Sequence, residues 1–271
     1  MSTDVTATPP AAEASTPGQD VDLNERIDHY LGLAGASVVA TDSLLALHEN
    51  LADLVAARAM MCVHGDAGLG KTLSVNAALR DLAPDDVFRV QFRARPTPRD
   101  IRHVLFDALG LSGAPPARPI EFDRLLKDAL AERFRVLVCD EAQWLSRECF
   151  EFWRHLWDDR RTQIAIVFVG GGDCYRVLRR EPMLSSRIYI WQEFRRLSRE
   201  QVLAVIPAFH PVWENATAGD IAHADIHAGH GNFRNWARIT AHTVTGMQRL
   251  GRERPDRDVL DWVFTRLGGS D

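Results

Sequence analysis

Gly65-Asp66-Ala67-Gly68-Leu69-Gly70-Lys71-Thr72 is the stretch that decides the fold. It has the form G-x-x-x-x-G-K-[ST]. Its glycines let backbone N–H groups turn inward around phosphate oxygens, and the helix expected to begin at Lys71 aims its positive end at the same anion. Lys71 would bridge the β- and γ-phosphates as a point charge, the Thr72 hydroxyl would complete a Mg²⁺ shell, and Leu73 follows in the same nucleotide-contacting segment. The chain has 32 basic residues, of which only Lys71 and Lys127 are lysine, so a lysine at this position is informative.

Outward from that loop, apolar runs alternate with helical periodicity. Met60 to Val63 is a short apolar run before Gly65, expected as a buried strand, and Lys71 to Leu82 is expected as a helix. Upstream, Leu44, Leu45, Leu47, Leu51, Leu54 and Val55 recur at helical spacing, with Thr41 or Asp42 as the cap. Downstream, strands are expected at Val87–Phe92, Phe134–Cys139, Ile164–Val169 and Ile188–Ile190, and helices after Thr97-Pro98, over Ile120–Glu132 and through Phe150 to Trp157. Strands alternating with helices imply an α/β fold with a mostly parallel sheet covered on both faces. Beyond Leu197 only helical stretches remain, near Ser198–Ile206, Ala218–His227, Phe233–Met247 and Asp256–Leu267. The organisation expected is a disordered tail over 1–20, rich in Pro, Ala, Ser and Thr, an α/β core over 21–195 and a small helical lid over 196–271.

Val136-Leu137-Val138-Cys139-Asp140-Glu141 is an apolar strand ending in two carboxylates. A buried strand would bring them to the sheet's carboxyl edge, where open α/β folds bind ligands. Asp140 would hold Mg²⁺ through water, and Glu141 could polarise an attacking water. Together with the phosphate loop, the pair points to nucleotide hydrolysis.

Composition narrows the remaining classes. The chain has 271 residues, 46% hydrophobic and 25% charged, with a formal net charge of −5. That is globular composition, and a protein basic all over is excluded, so any nucleic-acid contact must come from a local patch. No apolar run is long enough to span a membrane, no secretory leader pattern opens the chain, and Cys62, Cys139, Cys149 and Cys174 show no C-x-x-C spacing. A soluble cytoplasmic protein without membrane partners is expected. His223, His227 and His230 lack the glutamate of H-E-x-x-H and read as exposed helix histidines. Phe152, Trp144, Trp153 and Trp157 read as core or interface.

These residues resemble the AAA+ ATPases over roughly residues 37–250, and within that class the transposition ATPases, the phage Mu B protein with its TniB, TnsC and IstB-type relatives. Thr41 heads the helix before the first strand. Asp140-Glu141-Ala142-Gln143 is similar to their D-E-A-[HQ] box. Val169-Gly170-Gly171-Gly172, then Leu178, Pro182 and Leu184-Ser185-Ser186-Arg187, resembles the stretch from sensor 1 to the arginine finger, and Gly231-Asn232-Phe233-Arg234 the G-N-x-R sensor 2 motif.

The resemblance implies that Arg187 is a finger reaching a neighbouring subunit's γ-phosphate, with Arg179 and Arg180 as rivals, and that Arg234 contacts the nucleotide within the same chain. A finger acting across subunits implies a homo-oligomer, a ring or a filament. The resemblance further implies duplex DNA and a transposase as partners. Arg93, Arg95, Arg99 and Arg102, after the second strand, are the candidates for phosphate contact. One departure stands out. The sensor 1 slot, usually polar, holds Gly171, which cannot orient a water with a side chain. Asp173 is a possible substitute, and slow or partner-stimulated hydrolysis is expected. A secretion-associated ATPase of the ExeA type and a nucleotide-dependent signalling or scaffold protein are the rival readings.

Overall fold

The computed structural model describes residues 30–92 and 95–268, so the expected tail over 1–20 and the candidate Arg93 lie outside the described residues. The elements follow in chain order as α1 (Asp42–Ala57), β1 (Met60–His64), α2 (Lys71–Leu82), β2 (Val87–Val90), α3 (Pro98–Ala108), α4 (Pro119–Glu132), β3 (Arg135–Cys139) and α5 (Arg147–Trp157). They continue as β4 (Ile164–Val169), α6 (Cys174–Arg179), α7 (Pro182–Ser185), β5 (Ile188–Glu193), α8 (Arg199–Phe209), α9 (Ala218–Ala224), α10 (Phe233–Leu250) and α11 (Arg257–Leu267). Starts follow local chemistry. Thr41, rather than Asp42, caps α1 by accepting from the Leu44 N–H at 3.1 Å. Thr97 and Asp100 form a reciprocal capping box on α3 with Pro98 in the first turn.

The five strands form one parallel sheet in the order β2-β3-β4-β1-β5. Side chains alternate across it, as a period of two demands. Met60, Cys62, Leu137, Cys139, Ile166 and Phe168 face a core closed by α3, α4 and α5. Met61, Val63, Val136, Val138, Val167 and Val169 face the opposite core under α1 and α2. Strands buried on both faces read as continuous apolar runs, which is why they were visible in the sequence. A third core joins α8 to α11 around Trp213 and Trp236, and Leu33, Ala36 and Val39 from before α1 pack against it. Among the described residues no helix is long and apolar enough to cross a membrane.

The structure departs from the sequence expectations at several boundaries. β2 stops at Val90 rather than Phe92, while β5 runs on to Glu193 rather than ending at Ile190, because it pairs with β1 as far as His64. Two short helices, α6 and α7, fill a stretch where too few residues stand for any periodicity to accumulate. The second lid helix, α9, runs into a π-helical turn at Asp225–Gly229. Trp144 is half exposed, whereas Trp153 is wholly buried.

Candidate nucleotide site

β1, β3 and β4 end side by side, so their carboxyl ends deliver the loop after His64, the pair Asp140-Glu141 and the glycines at 170–172 to one edge of the sheet. The predicted nucleotide segment and the predicted carboxylates do meet there. Thr72 donates its hydroxyl to Asp140 Oδ2 at 3.1 Å, and the Glu141 N–H donates to Asp140 Oδ1 at 2.8 Å. Lys71, almost wholly buried, donates from Nζ to the carbonyls of Gly65 at 2.8 Å and Asp66 at 2.7 Å. Burial pushes the Lys71 ammonium down from its ordinary value, and the charges of Glu141 and Asp140 pull it back up. Burial pushes the Asp140 carboxyl up, opposed by its hydrogen bonds from Glu141 and Thr72.

These groups line one cavity of about 340 Å³. At the loop end it is bounded by Ala67, Gly68, Leu69, Gly70, Lys71, Thr72 and Leu73, with Asp140, Glu141, Gln143, Gly170 and Gly171 across from them. The rest of its lining includes the apolar side chains of Val38, Val39, Phe209, Phe233 and Ala237. A cavity that combines such a loop and carboxylates with apolar walls suits a nucleotide. The hydroxyl and carboxylate of Thr72 and Asp140 are hard oxygen donors of the kind Mg²⁺ takes, and a carboxylate disfavoured by burial would gain from a cation beside it.

The lid is wired into the loop. Asn232 donates from Nδ2 to the Ala67 carbonyl at 2.9 Å, and the Arg234 N–H donates to the Gly68 carbonyl at 3.0 Å. Asn232 also caps α10 by accepting from the Arg234 and Asn235 N–H groups. Packing alone therefore requires glycine at two positions of the loop. At Gly68, with φ +83°, a Cβ would stand 2.5 Å from Asn232 Oδ1. At Gly65, with φ +143°, it would stand 2.2 Å from the Phe194 carbonyl oxygen. Arg234 lines the cavity and lies near enough to Lys71 to lower its pKa. Asp66 faces outward, 3.8 Å from Arg196. The residues that sequence reading missed are the apolar wall, which carries no motif, and the brace made by Asn232, whose only signal is the stretch quoted for Arg234.

Arg187 stands elsewhere. It precedes Ile188, which pairs with Met60 at the start of β1, so it lies at the sheet's amino edge, away from this chain's own cavity. There it is clamped by Asp158, with Nε to Oδ1 at 2.7 Å and Nη2 to Oδ2 at 3.0 Å, and Nη1 donates to the Met183 carbonyl at 2.7 Å. Its rivals differ: Arg179 lies 4.3 Å over the Trp191 ring. The DNA candidates divide. Arg95 and Arg99 are exposed, Arg95 within 5.8 Å of the Trp144 ring. Arg102 differs from them: its side chain is only 15% exposed, paired bidentately with Asp123 at 2.6 and 3.1 Å and stacked on Phe152.

With this geometry in hand, residues 55–178 match the AAA domain family. No curated protein matches the chain. Among solved structures, Cdc6p of Pyrobaculum aerophilum is similar at a TM-score of 0.64 and 18% identity, covering 80% of this chain and 69% of that one. The Aeropyrum pernix ORC1 protein, solved in complex with DNA, is similar at 0.64 and 16%, covering 84% of this chain and 66% of that one. RuvB of Thermotoga maritima, a Holliday junction branch migration motor, is similar at 0.62 and 16%, covering 84% of this chain and 70% of that one. The chain spans about two thirds of the length of these proteins. The five-stranded parallel sheet with its phosphate loop is thus the P-loop AAA+ fold.

Proposed function

We propose that this AAA+ chain binds and hydrolyses ATP with Mg²⁺, assembles on duplex DNA as a homo-oligomer, and in that state selects a target or activates a transposase. The observation that carries the reading is the direct hydrogen bond from Thr72 to Asp140 beside a buried Lys71, which puts a phosphate-binding turn and a carboxylate for the metal in one cavity. Gly65 to Leu73, Asp140 and Arg234 hold the nucleotide. Mg²⁺, held by Thr72 and Asp140, would neutralise charge on the phosphates. Glu141 accepts a proton from the attacking water, and Arg187 of one protomer supplies positive charge to its neighbour's site. Residues 21–195 act as the ATPase core and 196–271 as the lid.

Three observations support the assembly step. Among the described residues that line the cavity Arg234 is the one arginine, so a finger at this site would come from another copy. Arg187 already faces away from its own cavity. Two of the solved structures similar in fold are a DNA-bound protein and a motor that acts on DNA. The transposition step rests on the resemblance carried by Thr41, the D-E-A-[HQ] stretch, the stretch from Val169 to Arg187 and the G-N-x-R stretch, and fold does not fix function. Hydrolysis by an isolated protomer is expected to be slow, since the arginine has to arrive from a partner.

The test is DNA binding at graded salt with ATP, a non-hydrolysable analogue or no nucleotide. Affinity should rise with nucleotide, fall steeply with salt, and disappear in Lys71→Ala. No binding at low salt in any nucleotide state refutes the DNA reading and leaves a secretion-associated or signalling ATPase.

A further inference from the structure

We propose that Gln143 positions Glu141 and the attacking water, performing the task for which Gly171 at the sensor 1 slot has no side chain. The inference rests on the nucleotide-hydrolysis reading of the same cavity. Gln143 lies in the 3-10 turn Ala142–Trp144 that follows β3, and Gly171 follows β4, the adjacent strand. The Gly171 N–H donates to Gln143 Oε1 at 3.0 Å, and Gln143 Nε2 donates to Glu141 Oε2. A backbone N–H can only donate and an ionised carboxylate can only accept, so one orientation of the amide satisfies both partners. The side chain is thereby held from both ends, between the strand end that lacks a polar group and the carboxylate that needs orientation.

The glycines explain how it fits. A Cβ at residue 170 would stand 2.5 Å from Gln143 Oε1 and 2.5 Å from Cys174 Sγ, so any side chain there expels the amide. At residue 171 the nearest atom to a Cβ is Gln143 Nε2 at 3.6 Å, an ordinary contact. Gly170-Gly171 is therefore the space that the Gln143 amide occupies. The polar group at the middle of the sheet edge comes from the turn after β3 instead of from the end of β4. Glu141 itself has a left-handed backbone, φ 53° and ψ 38°, which non-glycine residues adopt rarely and mostly where surroundings hold them.

In the step it serves, the water oxygen bonds to the γ-phosphorus while the bond to the bridging oxygen breaks. That oxygen leaves with the electron pair on ADP, and the water's proton passes to Glu141, giving phosphate. A Glu141 side chain free to rotate would accept that proton from fewer productive poses.

The experiment measures single-turnover hydrolysis of Mg·ATP with enzyme in excess, alongside the Kd for Mg·ATP, in wild type, Gln143→Ala, Gly171→Asn with Gln143→Ala, and Glu141→Gln. Expected are a loss of about 10²-fold in rate for Gln143→Ala, within the range for proton-transfer groups, with Kd within about threefold. Recovery of about tenfold is expected in the double variant, whose asparagine extends into the space vacated. A Gln143→Ala rate equal to or above wild type, a parallel loss of binding, or no recovery in the double variant overturns the proposal. If those occur while Glu141→Gln is still inactive, the hydrolysis reading survives without Gln143. Absence of hydrolysis in wild type overturns both.

Discussion

The two edges of the sheet are finished to different degrees. At the carboxyl edge Thr72 and Glu141 are already joined to Asp140 and Lys71 to the loop, and Asn232 and Arg234 of the lid clasp the same loop. At the amino edge Arg187 is charged and rigid, yet its whole fork is engaged by Asp158 and the Met183 carbonyl. One edge is preorganised within a single chain, and the other holds a group whose proposed target lies in another chain. The contrast says that nucleotide capture should be a property of the protomer, while acceleration should be a property of the assembly.

The sharpest way to break that comparison is Arg187→Ala. A group that stabilises charge only across a subunit boundary costs about 10³-fold in turnover when removed, while Mg·ATP affinity stays within about threefold. Rate per protomer should also rise with protein concentration in wild type and stay flat in the variant. A rate within twofold of wild type would leave the amino edge with a structural role only, and Arg179 or Arg180 as the residue to examine. A smaller effect is expected from Asp158→Asn. The clamp on Arg187 is partly exposed, 27% and 30% for the two side chains, where ion pairs contribute up to about 1 kcal/mol. Releasing Arg187 should raise turnover about threefold at protein concentrations below saturation, with no change when assembly is saturated. A fall in rate would mean that the pair holds Arg187 in its working pose.

How legible each edge was in the sequence follows from the same contrast. The phosphate loop and the strand ending at Asp140 are local patterns whose meaning depends on neighbours in the chain, so both were readable together with the parallel sheet that aligns them. The apolar wall was not, because Val38, Val39, Phe209 and Ala237 converge only through the packing of the lid core on the segment before α1. The surroundings of Arg102 were hidden for a related reason: Asp123 on α4 pairs with it, and no local pattern shows a partner on another helix. Gly171 read as a position without a side chain, and the amide of Gln143 that accepts from its N–H comes from the turn after the neighbouring strand, a contact that no local pattern shows.

The smallest effect, and the one that sharpens the account of the carboxyl edge, concerns the cost of preorganisation. Burial raises the Asp140 pKa above its unfolded value. For a carboxyl with a raised folded pKa, the ionised form is the one that folding disfavours. The penalty is present above the folded pKa and is relieved as pH falls through it towards the unfolded value of 3.8. Asp140→Asn removes that penalty and keeps a side chain of nearly the same shape, with an oxygen for the Glu141 N–H. The nucleotide-free variant should therefore melt a few degrees higher than wild type at pH 7, and the difference should shrink as pH is lowered through the folded pKa towards 3.8. Mg²⁺-dependent ATP binding should weaken at the same time. Melting curves at several pH values, with and without Mg·ATP, measure both. A variant that melts lower than wild type at neutral pH would mean that the hydrogen bond from Thr72 outweighs the burial of the charge. The carboxyl edge would then be stabilised by its own polar contacts, with no stability held back for the cation.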